Sequence, residues 1–203
     1  MAGITETASI RLRGPILILF VLSTAPSIPA REAVLDLDPA KTKIEFALSA
    51  TLHTVHGTFN LKSGTVHFDP TTGRASGLIV VDATSAETGN RGRDRKMHKE
   101  ILESAQYPEI TFTPVRVEGR VAATGESQVA VGGLMKLHGT QHEITLQARI
   151  RISGDDAKAE VHLVIPYIQW GLKNPSTFLL RVSDKLDMEV RGAGRLTGLS
   201  DQR

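Results

Sequence analysis

Residues 144–165 read ITLQARIRISGDDAKAEVHLVI. Ile144, Leu146, Ala148, Ile150 and Ile152 alternate with Thr145, Gln147, Arg149 and Arg151, the period of a half-buried β-strand. Gly154-Asp155-Asp156 then turns the chain. Ala159, Val161, Leu163 and Ile165 carry the same alternation back, so the stretch predicts an antiparallel hairpin.

Similar patterns lie on both sides. Upstream are Ala33 to Leu37, ended by Asp38-Pro39, and Ile44, Phe46, Leu48 and Ala50 in strict alternation. His53 to Lys62 reads as extended, with Gly57 as a bulge and Phe59 and Leu61 on one face. Val66 and Phe68 read as a further strand before the turn Asp69-Pro70-Thr71-Thr72-Gly73. Leu78, Val80 and Asp82 follow, with Ile79 and Val81 opposite. Later come Ile110 to Val117, which Pro114 marks as an edge or bulge, then Val129 and Val131, and Leu134 to Leu137 after Gly132-Gly133. A last strand carries Leu186, Met188 and Val190 towards Leu196. Between them, Tyr167 to Ser183 is irregular, and its Tyr167 and Trp170 suit the plug of a barrel end.

One stretch departs from strand periodicity. Met97, Ile101 and Leu102 fall at i, i+4 and i+5, with Arg95, Lys96, Lys99, Glu100 and Glu103 around them. Asp94 as N-cap and Pro108 as a stop predict a helix from about Asp94 to Ser104. The pattern is therefore all-β: about eight antiparallel strands with one inserted short helix, able to close into a barrel. Closure removes exposed edges, and eight strands leave an interior that side chains fill or that holds one small ligand. A packed sandwich is the alternative on pattern alone.

Interior candidates follow from the alternations: Phe46, Leu48, Phe68, Val80, Phe112, Leu146, Ile150, Val161, Leu163 and Met188. Met97 and Ile101, with Leu102, would line or cover one end. Arg91 and Arg93, in a basic loop before the helix, are the candidate contacts for an anionic head group.

Composition excludes several functions. The chain has 203 residues, no cysteine and a formal charge of +2, so thiol chemistry, disulfides and Cys-ligated zinc are absent. Near-neutral charge with 4% aromatic residues gives no case for nucleic acid. His53 and His56 would face opposite sides of a strand, and a turn separates His138 from His142, so no metal site is expected. There is no G-x-S-x-G elbow, nucleotide loop or cofactor motif, and no enzymatic activity is expected.

The first thirty residues form a separate unit. Arg11 and Arg13 precede the apolar run Ile16 to Leu22, too short to span a bilayer as a helix, and small residues and prolines lead to Ala30. This is the layout of a secretory signal peptide over residues 1–30, with a retained membrane anchor as the alternative. Residues 31–203 then form one exported domain, periplasmic or secreted, with its charge reduced to +1 by loss of Glu6, Arg11 and Arg13.

A set of short motifs in fixed order carries a resemblance. Leu37-Asp38-Pro39, Ile44-Glu45-Phe46, His56-Gly57-Thr58-Phe59 and Gly64-Thr65-Val66-His67-Phe68-Asp69-Pro70 come first. Glu87-Thr88-Gly89-Asn90, Arg93-Asp94, Tyr107-Pro108-Glu109-Ile110-Thr111-Phe112 and Gly132-Gly133-Leu134 with His138-Gly139-Thr140 follow. Together they resemble the YceI-like family across essentially all of residues 31–203. The resemblance implies a lipocalin-like barrel, usually exported, that encloses a long polyisoprenoid chain without catalysis. The implied partner is an isoprenoid or another long-chain lipid, with transient contact at a membrane surface; a homodimer is left open. A ligand-free interaction or stress protein on the same barrel is the other reading.

Overall fold

The computed structural model describes Gly3, residues 32–177 and residues 181–199. Apart from Gly3, residues 1–30, where a signal peptide is expected, lie outside the described residues. Among the described residues, nine antiparallel strands follow in chain order: β1 (Ala33–Leu37), β2 (Lys43–Ser49), β3 (Thr54–Phe68), β4 (Ala75–Glu87), β5 (Glu109–Glu118), β6 (Gly125–Leu137), β7 (Thr140–Ser153), β8 (Asp156–Ile165) and β9 (Leu186–Thr197). β4 and β5 are joined through a helix, α1 (Arg91–Lys96), which runs into a π-helical turn, Met97–Ile101.

These strands close into a barrel with eight positions. β2 through β9 pair in a ring that the β3–β4 ladder completes. β1 and β2 share one place in that ring. Both lie between β3 and β9, β1 against Thr65–Phe68 and Gly194–Thr197, and β2 against Thr54–Phe59 and Asp187–Arg191. The ring returns β4 to β3, so the sheet closes on itself.

Two expected strands are one. His53–Lys62 and Val66–Phe68 belong to a continuous β3, and register shifts against β4 fall at Thr58/Asn60 and Leu61/Ser63. A bulge adds one residue to one strand and reverses its later facing. Phe59 and Leu61 therefore line the interior at odd positions, and Val66 and Phe68 do so at even ones. On β5 the shift at Pro114/Arg116 does the same between Phe112 and Val117, with Pro114 fully buried. Gly57 is not the site of a bulge. A Cβ there would stand 2.2 Å from the Phe46 ring and 2.4 Å from the Glu87 carbonyl oxygen, so the position admits only glycine.

The helix also starts earlier than its spacing suggested. Asn90, with φ −126° and ψ 106°, is the N-cap, and its side-chain oxygen accepts from the backbone N–H of Gly92 and Arg93. Asp94 is already helical and accepts from the Thr88 backbone N–H at 2.9 Å. The π-turn is marked by Leu102 N–H donating to the Met97 carbonyl at 2.8 Å. An i→i+5 turn brings positions i+4 and i+5 together over i, which is how Met97, Ile101 and Leu102 all reach the core.

At one end of the barrel lie α1, the tight β6–β7 turn and the segment between β8 and β9. The β3–β4, β5–β6 and β7–β8 connections close the other. The apolar interior follows this division. The larger cluster contains Ile44, Phe46, Phe59, Leu102, Leu137, Tyr167 and Leu172, and the smaller contains Ala33, Phe68, Ile152, Ala157 and Leu196.

Candidate functional site

The barrel encloses a cavity of about 270 Å³. Among the described residues that line it, the wall is aliphatic and aromatic, Thr42 and Tyr167 are the only side chains bearing an oxygen or nitrogen atom, and none is charged. The volume sits just below the roughly 300–1,000 Å³ usual for small-molecule sites. A narrow, apolar space of this kind accommodates an extended chain better than a broad or charged molecule.

Eight of the sequence candidates line this cavity: Leu48, Phe68, Phe112, Leu146, Ile150, Val161, Leu163 and Met188. Phe46 faces inward but is packed into the core beside it, 5.3 Å from the Phe59 ring centroid. Val80 is a correction. It is buried, yet the lining residues of β4 are Ile79 and Val81. Leu78-Ile79-Val80-Val81 is apolar in both parities, so alternation could not choose the inner face; pairing with β3 and β5 does.

Met97 and Ile101 pack against the core from above, while Leu102 reaches the cavity. The two arginines lie elsewhere. Arg93 turns back to the loop before its own helix, donating to Thr88 Oγ1 at 2.7 Å and to the Thr88 carbonyl at 3.0 Å. Arg91 is exposed and outside the lining. Neither is placed to meet a ligand in the cavity.

Sequence reasoning missed other wall residues. Leu61, Val66, Val129 and Val131 carried the alternation that would have named them. Tyr167 and Leu172 sit in the irregular segment, where no periodic signal exists, and reach the cavity because that segment folds over the barrel end.

Side-chain bonds hold this cover together. Glu103 Oε2 accepts from His138 Nε2 at 2.8 Å, and its Oε1 accepts from Lys173 Nζ at 3.1 Å. One carboxylate thus joins the end of the π-turn, the β6–β7 turn and the segment after β8. The Lys173 ammonium and then His138 hold the Glu103 carboxyl below its usual range. His98 Nε2 lies 2.8 Å from the Ala86 carbonyl, which can only accept, so this nitrogen carries the proton; Nδ1 meets the Ser104 hydroxyl at 2.9 Å. Tyr167 donates to the Ser183 carbonyl at 2.6 Å, and burial pushes its phenol up to about 12. Trp170 stacks on His142 with ring centroids 4.0 Å apart and planes 4° from parallel.

An outer groove of about 580 Å³ carries Glu45, His56, Glu87, His162, Asp187 and Glu189. Arg191 already bridges Glu45 and Glu189 there at 2.9 and 2.6 Å, and Phe46, Ala47 and Met188 supply its apolar part. Among the described residues, no three His, Asp or Glu side chains gather as a metal site.

The profile of the YceI-like domain matches residues 35–193. A UPF0312 protein of Pseudomonas syringae pv. tomato is 31% identical over 138 residues, 66% of this chain and 70% of that protein. Protein YceI of Escherichia coli O157:H7 is 29% identical over 104 residues, 50% of this chain and 52% of that protein. Among solved structures, Burkholderia cenocepacia BcnA superposes with a TM-score of 0.64 at 18% identity, covering 78% of this chain and 99% of that one. A Saccharophagus degradans domain described as polyisoprenoid binding and implicated in plant cell wall breakdown gives 0.59 at 18% identity, covering 79% and 98%. With its profile matched from β1 to β9 on a closed eight-position barrel, the chain belongs to the YceI-like domain family.

Proposed function

We propose that this protein is an exported, non-enzymatic carrier of a long-chain isoprenoid or similar amphiphilic lipid, held in the barrel interior. The observation that carries the reading is the cavity inside the barrel, whose described lining residues include none with a charge. The Saccharophagus degradans neighbour, a polyisoprenoid binding domain on the same fold, supports it. The leader-like residues 1–30 support export to the periplasm or beyond.

Energetics suit a carrier. Each CH₂ taken from water into the barrel contributes ~0.8 kcal/mol. Ordering the chain offsets much of that gain. The competing environment is a bilayer, which is equally apolar, so transfer between bilayer and barrel is close to neutral. Loading is then decided by fit and by contact with the polar end.

Native mass spectrometry of the protein purified from an exporting host without detergent, followed by solvent extraction, tests this. An added mass that extracts as an isoprenoid supports the carrier. A clean unliganded mass that survives incubation with isoprenoid vesicles would replace it with a ligand-free interaction protein.

A further inference from the structure

The basic stretch around α1, Arg91 to Lys99, contributes no wall residue to the cavity. Its place in the fold gives it another use. The connections at the covered end of the barrel, residues 50–53, 88–108, 138–139 and 166–185, carry eight Lys and Arg against four Asp and Glu. Those at the opposite end, residues 69–74, 119–124 and 154–155, carry two of each. A chain of formal charge +2 thus gathers its excess of cations at one end.

Few of these cations are engaged within the molecule. Arg93 is held by Thr88, and Lys173 by Glu103. Arg91, Arg95, Lys96, Lys99, Arg181 and Lys185 are exposed, and their side chains enter no ion pair or hydrogen bond among the described residues. Arg91, Arg95 and Lys99 recur every four residues along α1 and the π-turn, while Met97 and Ile101 pack against the core and Leu102 lines the cavity. The outer surface of the cavity's own cover is therefore cationic. At the same end the β2–β3 turn presents Leu52, which at 81% is the most exposed large apolar side chain among the described residues. Thr51 N–H donates to the Arg181 carbonyl at 2.9 Å, fastening this turn to the backbone of a free cation.

We propose that the covered end of the barrel docks on an anionic lipid bilayer, with Arg91, Arg95 and Lys99 at the head groups and Leu52 in the interface. Charge complementarity selects this occupant: each cation close to an anionic membrane surface strengthens adsorption about fivefold. Leu52 adds what a lipid surface takes up and a soluble polyanion does not, an apolar side chain beside the cations. Docked this way, the cover faces the leaflet from which a long-chain lipid comes, and the chain passes between bilayer and barrel without crossing water. That purpose rests on the carrier reading above; the docking itself needs no bound lipid.

The test is flotation of the protein, purified from an exporting host, with vesicles of phosphatidylglycerol and phosphatidylethanolamine or of phosphatidylcholine alone. Binding should be about tenfold or more tighter to the anionic vesicles. It should weaken as salt rises from about 0.1 to 1 M and the screening length falls from about 10 to 3 Å. Arg91→Gln, Arg95→Gln and Lys99→Gln together should cost about a hundredfold. Arg74→Gln, Arg120→Gln and Lys158→Gln remove the same charge at or near the opposite end and should cost about fivefold at most. All six side chains are exposed, so both variants should melt with wild type. The chain has no cysteine, so an environment-sensitive fluorophore on Leu52→Cys, or on Ala123→Cys in the β5–β6 connection, reports one position. Its emission should shift to the blue on anionic vesicles at 52 and stay put at 123. Equal losses in the two triple variants, equal binding to the two kinds of vesicle, or an unmoved signal at 52 on bound protein would overturn the inference. A protein that carries lipid but ignores anionic vesicles would overturn it and leave the carrier reading standing. Vesicle binding as expected by a protein with a clean unliganded mass would support the docking and remove the carrier.

Discussion

Glu103 and His138 both hold the left-handed backbone region, with φ of 45° and 50°, and they bond to each other across the top of the barrel. Non-glycine residues seldom adopt that region, and strain of this kind persists only where neighbours over-determine it. Here the link, with Lys173 on the second carboxylate oxygen, ties three connections over the cavity.

Acid should release that tie. Lys173 and His138 depress the Glu103 carboxyl, so its contribution is present above the unfolded value of 4.5 and fades as pH falls through the lower folded value. Wild type should melt above Glu103→Gln at neutral pH, with the gap closing on acidification below 4.5. A gap that is constant with pH would show that the carboxylate charge contributes nothing.

Filling the cavity should abolish loading without unfolding the barrel. Leu146 and Leu163 both line it, on β7 and β8. Leu146→Trp with Leu163→Trp should retain the circular dichroism of wild type and bind no lipid in native mass spectrometry. Lipid retained by the folded double variant would place the ligand elsewhere.

Gly133 should not tolerate alanine. A Cβ there would stand 2.5 Å from the Thr113 carbonyl oxygen and 2.6 Å from the Phe112 ring. The expected loss is about 1–3 kcal/mol, the usual range for overpacking. It should shrink in a Phe112→Leu background, and denaturant melts of the four-member cycle measure the difference.

Tyr167 should titrate late. Its phenol is pushed to about 12 by burial and then by Asp184. A phenol raised above its ordinary value of 10 stabilises the fold below pH 10, and that contribution is lost as pH rises towards 12. The tyrosinate absorbance missing from Tyr167→Phe should have its midpoint near 12. The same variant leaves the Ser183 carbonyl without its donor and should cost about 1 kcal/mol at neutral pH.

The barrel was legible in the chain because its strands are half-buried. Alternation on β2, β7, β8 and β9 identifies Leu48, Leu146, Ile150, Val161, Leu163 and Met188 as wall residues from local pattern alone. Where apolar residues occupy both parities, as at Leu78 to Val81, the pattern carries no facing, and tertiary pairing turned Val80 away from the cavity. Bulges in β3 and β5 are equally invisible, since one extra residue leaves composition unchanged while reversing every later side chain. The cover over the barrel end depended on tertiary structure throughout. Glu103, His138 and Lys173 are 35 and 70 residues apart along the chain, and His142 meets Trp170 only because the segment after β8 folds across the top. Periodicity records which side of a strand meets water; it holds no record of which distant groups meet each other once the barrel has closed.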